Sequence, residues 1–450
     1  MTTSSDKNES LQLHRIAVDG LFGLYDHRIG LNTEPRVTII HGPNGVGKTH
    51  ILGMVNALLN GDTGYFLEVS CQRFSLSFAN DTVLSLSITD QQREEGKGTL
   101  QLNEPGEKPK KTPVTLASEA EHVAEDMSFL RRFQGVRGYW IDRRDGELLT
   151  GQEVVSRYGR HSRRTRDKRE MPTWFREFIS RTPVYFIEAQ RLIRPQDNVD
   201  PWRHAPTGAK HLSAVLQRRE EFQKRLSETM ATYGRTAQSL DQTFAQRLVN
   251  SDKRLSAIEI QERQRGLDAE TDRLENLGLL DASTSQHSHH IVRTREDDPA
   301  RAEVMELVMT LHAEDRKRKL DALGDLANRV ETLLSSVNEK YRNKTLRADR
   351  EKGLVATSKL GEELRLEALS SGEQHELLLH YDLLFRVTQD TIVLVDEPEL
   401  SLHVAWQKRF LDDLLRFSEI SSFDAVVATH SPFIVGERHD LEVGLGYSDD

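Results

Sequence analysis

The sequence predicts an α/β fold that carries an antiparallel β lobe and a long helical insertion. Three observations predict it. Short β-branched runs near both ends of the chain each lead into a glycine-rich or acidic loop, and an alternating apolar–polar stretch lies between residues 72 and 90. A proline-free span in the middle repeats its apolar residues at heptad spacing. With 450 residues, the chain has length for two or three structural units rather than one core.

The elements follow in order. Residues 11–41 read as a hairpin, LHRIAVDG and HRIGL around a glycine-rich turn, followed by the buried run Arg36–His41 (RVTIIH). FSLSFANDTVLSLSI alternates around Asn80-Asp81 and reads as two half-buried antiparallel strands. Residues 95–118, rich in Lys, Pro, Glu and Gly, are expected to form a solvated loop. Val184–Ile187 is a further short strand, ahead of Glu188-Ala189-Gln190-Arg191.

Between Pro206 and Pro299 there is no proline. Leu226, Met230, Tyr233, Ala237, Leu240 and Phe244 keep heptad rhythm, as do Leu323, Leu326, Val330, Leu333, Val337 and Tyr341. The expectation is two antiparallel helical arms joined by the Ser/His/Asp-rich stretch 281–299, a coiled-coil hairpin. Arms of roughly 50–70 residues would reach on the order of 70–100 Å. The alternative is an ordinary helical bundle packed on the core. After about residue 362 the α/β character returns, with a helix start at Ser371, strands at Ile392–Val395 and Ala425–Ala428, and a helix near 403–417. The expected division is 1–208, 209–346 and 347–450.

Composition narrows the class. Hydrophobic residues make up 37% and charged residues 29%, and no run approaches the roughly 18 apolar residues of a membrane span. The opening MTTSSDKNES lacks the apolar centre of a signal peptide. Cys71 is the sole cysteine, which excludes an internal disulfide and fits a reducing cytoplasm. The net charge of −10 argues against a protein coated in nucleic acid and leaves a local basic face open.

The chemistry concentrates in three segments. Gly42-Pro43-Asn44-Gly45-Val46-Gly47-Lys48-Thr49 matches G-x-x-x-x-G-K-[ST] between a predicted strand and a predicted helix. Glycines let backbone N–H groups wrap phosphates, and the helix N-terminus adds positive potential. Lys48 places a charge at the β/γ oxygens, and Thr49 supplies a hydroxyl for Mg²⁺. The second segment, Thr391–Glu397 (TIVLVDE), is an apolar strand ending in two acids. Lying next to the strand before the glycine loop, it would set Asp396 beside the metal and let Glu397 polarise the attacking water. The third, Leu369–Gln374 (LSSGEQ), reads as a helix N-terminus with Ser371 and Gln374 as its capping box. One nucleotide cannot readily occupy two such caps in one chain, so this cap is expected to serve a partner's ATP.

These segments resemble the ABC ATPase superfamily. Leu369, Ser370, Gly372 and Glu373 match the LSGGE signature of its SMC branch, with Ser371 in place of the first glycine. Asp396-Glu397-Pro398-Glu399-Leu400-Ser401-Leu402-His403 looks like a Walker B strand end plus D-loop. Thr429-His430-Ser431-Pro432 looks like the switch-histidine turn, and Gln190 is the candidate Q-loop glutamine. The resemblance implies an ABC-type P-loop core that binds ATP and Mg²⁺. It further implies Glu397, His430 and Gln190 as catalytic groups, and a head-to-head homodimer with higher oligomers left open. FIEAQRL, LSSGEQ, DEPELSLHVAWQ and ATHSPFI together resemble the stand-alone ATPases of bacterial anti-phage systems: the Septu-type ATPase subunit, the related retron-associated ATPase and the ATPase module of OLD-family nucleases. The chain continues 20 residues past His430, so the resemblance implies a nuclease effector of HNH or Toprim type acting in trans. An SMC-like DNA-repair or chromosome factor is the alternative.

Two weaker features remain. Residues 157–169 hold seven basic residues in thirteen, suited to a nucleic-acid backbone or a partner protein. His287, His289 and His290 sit in a polar stretch without cysteine, where solvated surface outweighs a metal site.

Overall fold

The computed structural model describes residues 11–116, 123–124, 127–132, 139–144, 146, 148–150, 154, 157–158, 171–187, 214–251, 253–281, 299–400 and 404–446. The chain divides into two compact units, residues 1–198 with 387–450, and residues 199–386.

The first unit opens with the antiparallel hairpin β1 (Leu13–Leu21) and β2 (Tyr25–Gly30), in register Ile16 opposite Ile29. Strand β3 (Val37–His41) is buried along four of its five residues and leads through residues 42–47 into helix α1 (Lys48–Asn60). Strands β4 (Arg73–Phe78) and β5 (Val83–Ser87) pair as the alternation predicts, turning with Asp81 at φ 61°. Residues 97–115 depart from the expected loop. They form β6 (Lys97–Asn103) and β7 (Lys110–Thr115), which extend one antiparallel sheet in the order β2-β1-β4-β5-β6-β7. The loop-like composition belongs to an edge strand: on β7, Pro113 can lack its N–H and Lys110 and Lys111 deter further pairing. Leu100 and Leu102 of β6 join Phe74, Leu76, Leu84 and Leu86 in one core with Ile51, Met54 and Leu58 of α1. A small sheet of β8 (Leu130–Arg132), β9 (Tyr139–Asp142) and β10 (Leu148–Thr150), around Leu130, Trp140 and Leu149, has no counterpart in the sequence reading. Helix α2 (Thr173–Ser180) and strand β11 (Val184–Ile187) follow.

In the second unit, the described residues of the insertion form three helices where two arms were predicted: α3 (Ala214–Asn250), α4 (Ala257–Asn276) and α5 (Pro299–Asn338). Ion pairs fix their directions. Arg247–Asp315 at 2.6 Å and Lys319–Asp241 at 2.9 Å set α3 antiparallel to α5. Arg316–Asp268 and Arg273–Glu331, both 2.5 Å, set α4 parallel to it. The first arm breaks because Ser256 starts a new helix, accepting from the Glu259 amide at 3.4 Å while Glu259 accepts from the Ser256 amide at 2.8 Å. Helix α5, at 40 residues, spans about 60 Å, short of the reach expected for the hairpin. Its heptad residues from Leu323 to Val337 are all buried, because α5 packs on both α3 and α4, and Tyr341 just beyond the helix is buried as well. On α3, only Leu226 and Leu240 of the predicted series are. A three-stranded sheet follows, β12 (Lys344–Asp349), β13 (Gly353–Ser358) and β14 (Glu363–Leu364), and then helix α6 (Ser371–Tyr381).

The first unit resumes with β15 (Ile392–Asp396), α7 (Val404–Ser421), β16 (Asp424–Thr429), the short α8 (Pro432–Val435) and β17 (Glu442–Gly444). These strands complete a five-stranded parallel sheet in the order β11-β15-β16-β3-β17. Strand β15 is therefore not the neighbour of β3; β16 runs between them. The register sets Asp396 opposite Ala428 and Thr429 opposite His41, so the three strands end side by side at the same sheet edge. No helix among the described residues is long and apolar enough to cross a membrane.

The helix directions have a direct test. Arg247→Asp opposes the half-buried guanidinium position to Asp315 and is expected to lower stability to urea by about 2 kcal/mol. Adding Asp315→Arg should recover much of the loss. A double variant no more stable than either single would contradict the α3–α5 pairing.

Candidate active site at the carboxyl edge of the parallel sheet

The loop after β3 is built for close backbone approach. Gly45 and Gly47 hold φ of 93° and 95°, left-handed values that favour glycine. A Cβ on Gly47 would stand 2.5 Å from Leu21 Cδ2, and one on Gly42 the same distance from the Leu445 carbonyl oxygen. Pro43, Asn44 and Gly45 are exposed, whereas Val46 and Gly47 are buried. Buried His27 of β2 faces the loop, its Nε2 lying 3.0 Å from the Val46 carbonyl oxygen. Lys48, 5% exposed, donates to the Gly42 and Pro43 carbonyls at 2.8 and 3.2 Å, and its Nζ lies 3.9 Å from Glu397 Oε1. Next along α1, the Thr49 hydroxyl donates to Asp396 Oδ1 at 3.0 Å.

The chain turns sharply where β15 ends. Glu397 adopts φ 44°, and its amide donates to the Ala428 carbonyl at 2.8 Å, so β16 holds a backbone conformation that costs on the order of 1 kcal/mol. Its Oε2 meets His430 Nδ1 at 2.6 Å. Glu399 Oε1 accepts from the Thr429 hydroxyl at 2.6 Å and from the His430 and Ser431 amides, both at 3.1 Å. It also lies 3.2 Å from His430 Nδ1. Gln407 of α7 donates to the Glu399 carbonyl at 3.1 Å and accepts from the Ser431 hydroxyl at 3.3 Å. Burial, and after it the neighbouring Glu399 carboxylate, raise the Glu397 acid to about 7 against the pull of His430. Burial opposes ionisation of Glu399 too, but the Glu397 acid, the Thr429 hydroxyl and backbone amides outweigh it and keep that carboxyl below its usual value.

Asp396, Glu397, His430, Lys48 and Thr49 thus lie in one cluster. Glu399, His27 and Gln407 were missed. An acid two residues past Glu397 at a strand end is a visible signal for Glu399, whereas nothing in the spacing points to His27. In the second unit, the helix cap is displaced by one residue from expectation. Ser370, not Ser371, is the N-cap of α6, and its box partner is Glu373, not Gln374. Extended backbone at Ser370 (φ −61°, ψ 158°) lets its Oγ accept from the Glu373 amide at 3.3 Å. The Glu373 carboxylate accepts from the Ser370 amide and hydroxyl and pairs with Lys344 at 2.7 Å. Gln374 donates to the Leu369 and Glu367 carbonyls instead. Ser371 is exposed and Gly372 half-buried. Gln190, His287, His289 and His290, and all of the basic tract beyond Tyr158, lie outside the described residues.

A glycine loop between a parallel strand and its helix, with lysine and threonine at the helix start and acids at the end of another strand of the same sheet, is the construction of a nucleotide-binding ATPase domain. The chain matches the AAA ATPase domain family over residues 13–435 and belongs to it. No curated protein matches it. Among solved structures it is similar to the Smc head domain of Pyrococcus furiosus, bound there to the C-terminal domain of ScpA, at 14% identity and TM-score 0.37. That likeness covers 97% of this chain and 94% of the other. It is similar also to an SmcHead bound to the C-winged helix domain of ScpA, at 11% identity, TM-score 0.37 and 97% and 95% coverage. The SMC head domain from Thermotoga maritima gives 11%, 0.32 and the same coverage. Likeness at this level fixes neither a partner nor a substrate for this chain.

The raised Glu397 acid links stability to pH. The folded acid keeps its proton up to about pH 7, while the unfolded one releases it near 4.5, so stability from this group is present below 4.5 and lost as pH rises to about 7. In protein free of nucleotide and Mg²⁺, Glu397→Gln should raise Tm at about pH 8 and change it little at about pH 5. An equal effect at both pH values would contradict the assignment.

Proposed function

We propose that the protein binds ATP with Mg²⁺ at residues 42–49 and hydrolyses it, as an ABC-type ATPase that closes head to head with a second copy. The observation that carries the reading is the meeting of Thr49 with Asp396 beside the Glu397–His430 pair. Thr49 and Asp396 offer two hard oxygens within one hydrogen bond of each other, a donor set suited to Mg²⁺, which would neutralise phosphate charge when bound. Backbone amides from Gly42 to Gly47 and the start of α1 would hold the phosphates, with Pro43, Asn44 and Val46 shaping the loop. Lys48 already faces the loop carbonyls, and a phosphate would compete for the same ammonium. Glu397, with a proton affinity near neutrality, is suited to take the proton from the attacking water as the γ-phosphate transfers, yielding ADP and phosphate. His430 holds that carboxylate in place through Nδ1. Gln190 enters as the Q-loop glutamine on the resemblance alone.

In the superfamily that the motifs resemble, the signature helix faces the γ-phosphate held by the other subunit. On that basis Ser370, Ser371, Gly372 and Glu373 would complete the partner's site. Here Glu373 would act by fixing the cap, since its carboxylate is engaged by Ser370 and Lys344. The motif combination further supports a cytoplasmic ATPase subunit of bacterial anti-phage defence that regulates an HNH or Toprim nuclease supplied in trans. An SMC-like role in DNA repair would use the same chemistry with a different partner.

Mixing two inactive variants tests hydrolysis and dimer together. Lys48→Ala should lose ATP binding, and Ser370→Arg should bind ATP but hydrolyse it about 10²-fold more slowly. Each mixed dimer has one site with both lesions and one with neither, so mixing should restore part of the activity. Normal turnover by Ser370→Arg alone would sink the head-to-head arrangement, and wild-type ATP affinity in Lys48→Ala would sink the phosphate-loop assignment.

A further inference from the structure

We propose that Glu399 is a positioning residue of the ATPase site, clamping the Thr429–Ser431 turn so that His430 meets Glu397. The proposal rests on the hydrolytic reading of the same site and adds a residue that the motifs do not assign. A single carboxylate oxygen, Oε1, takes hydrogen bonds from three successive residues as the chain leaves β16. The Glu399 side chain is only 7% exposed, and its other oxygen, Oε2, is buried without a hydrogen-bond partner among the described residues. A carboxylate buried with half its acceptors unused is expensive to hold, so shape alone does not account for an acid at this position.

His430 needs the clamp. Its side chain is 46% exposed, the least enclosed of the three, and packing does not hold it. Its Nδ1 faces carboxylate oxygens of Glu397 at 2.6 Å and Glu399 at 3.2 Å, while Nε2 has no hydrogen bond among the described residues. Two acceptors on Nδ1 place the ring proton there and leave Nε2 as the nitrogen that can face a substrate. Glu399 is fixed in turn, because Gln407 ties its carbonyl and the Ser431 hydroxyl to α7. Movement of the turn by about 1 Å would separate His430 from Glu397, and displacements of that size cost on the order of 10²-fold in rate.

The test uses the full chain and the variants Glu399→Ala, Glu399→Gln, His430→Ala and Glu399→Ala/His430→Ala. Glu399→Ala should lower kcat about 10²-fold with KM for ATP within about threefold of wild type. The double variant should be no slower than His430→Ala alone, since the clamp acts through the histidine. Amide exchange at residues 429–431 should quicken in Glu399→Ala while exchange in α1 stays as in wild type. Glu399→Gln, which keeps an acceptor oxygen, should retain most of that protection and an intermediate kcat. Losses that multiply in the double variant, or unchanged exchange at 429–431, would overturn the proposal. If wild type fails to hydrolyse ATP, the hydrolytic reading falls on its own, and the exchange measurement still decides whether Glu399 holds the turn.

Discussion

The hydrogen bond from Thr49 to Asp396 joins residues 347 positions apart, and the rest of the site depends on it. It forms because β16 threads between β3 and β15 and all three run parallel, so their ends share one edge of the sheet. The acidic strand end then lies within hydrogen-bond reach of both the α1 start and the histidine turn. Ligand sites in open parallel sheets gather at the carboxyl ends of strands for this reason.

The same crowding sets the electrostatics. A nearly buried Lys48, the half-buried Glu397, the enclosed Glu399 and a partly exposed His430 share a small space. Not all of the acids can ionise freely there, and the geometry divides their roles. Glu399 receives the backbone and hydroxyl donors and stays charged, while Glu397, with fewer donors, retains its proton to higher pH. The left-handed backbone at Glu397 belongs to this arrangement, since it sits on the acid facing the histidine and is held by the Ala428 carbonyl.

What the sequence made legible follows from the range of the interactions involved. The glycine loop, the two acids of β15 and the histidine turn are local patterns, each readable where it stands. Strand order is not local: residue spacing says nothing of β16 passing between β3 and β15, and the expected adjacency failed there. Strands β6 and β7 were hidden because edge-strand lysines and Pro113 imitate a loop. The break between α3 and α4 was marked by Ser256 and Glu259, a capping pair that heptad rhythm overshadowed. At α6, both Ser370–Glu373 and Ser371–Gln374 satisfy the capping pattern, and only backbone conformation decides between them. His27, reaching the loop from β2 across 19 positions, left no sequence signal at all.

Thr49 and Asp396, brought together by strand order, are the pair proposed to hold the cation. The most direct measurement is the affinity for ATP with and without Mg²⁺ in wild type and Asp396→Asn. The variant should lose about tenfold or more of the affinity gained from Mg²⁺, while metal-free binding stays within about threefold of wild type. A Mg²⁺ dependence identical in the two proteins would contradict it.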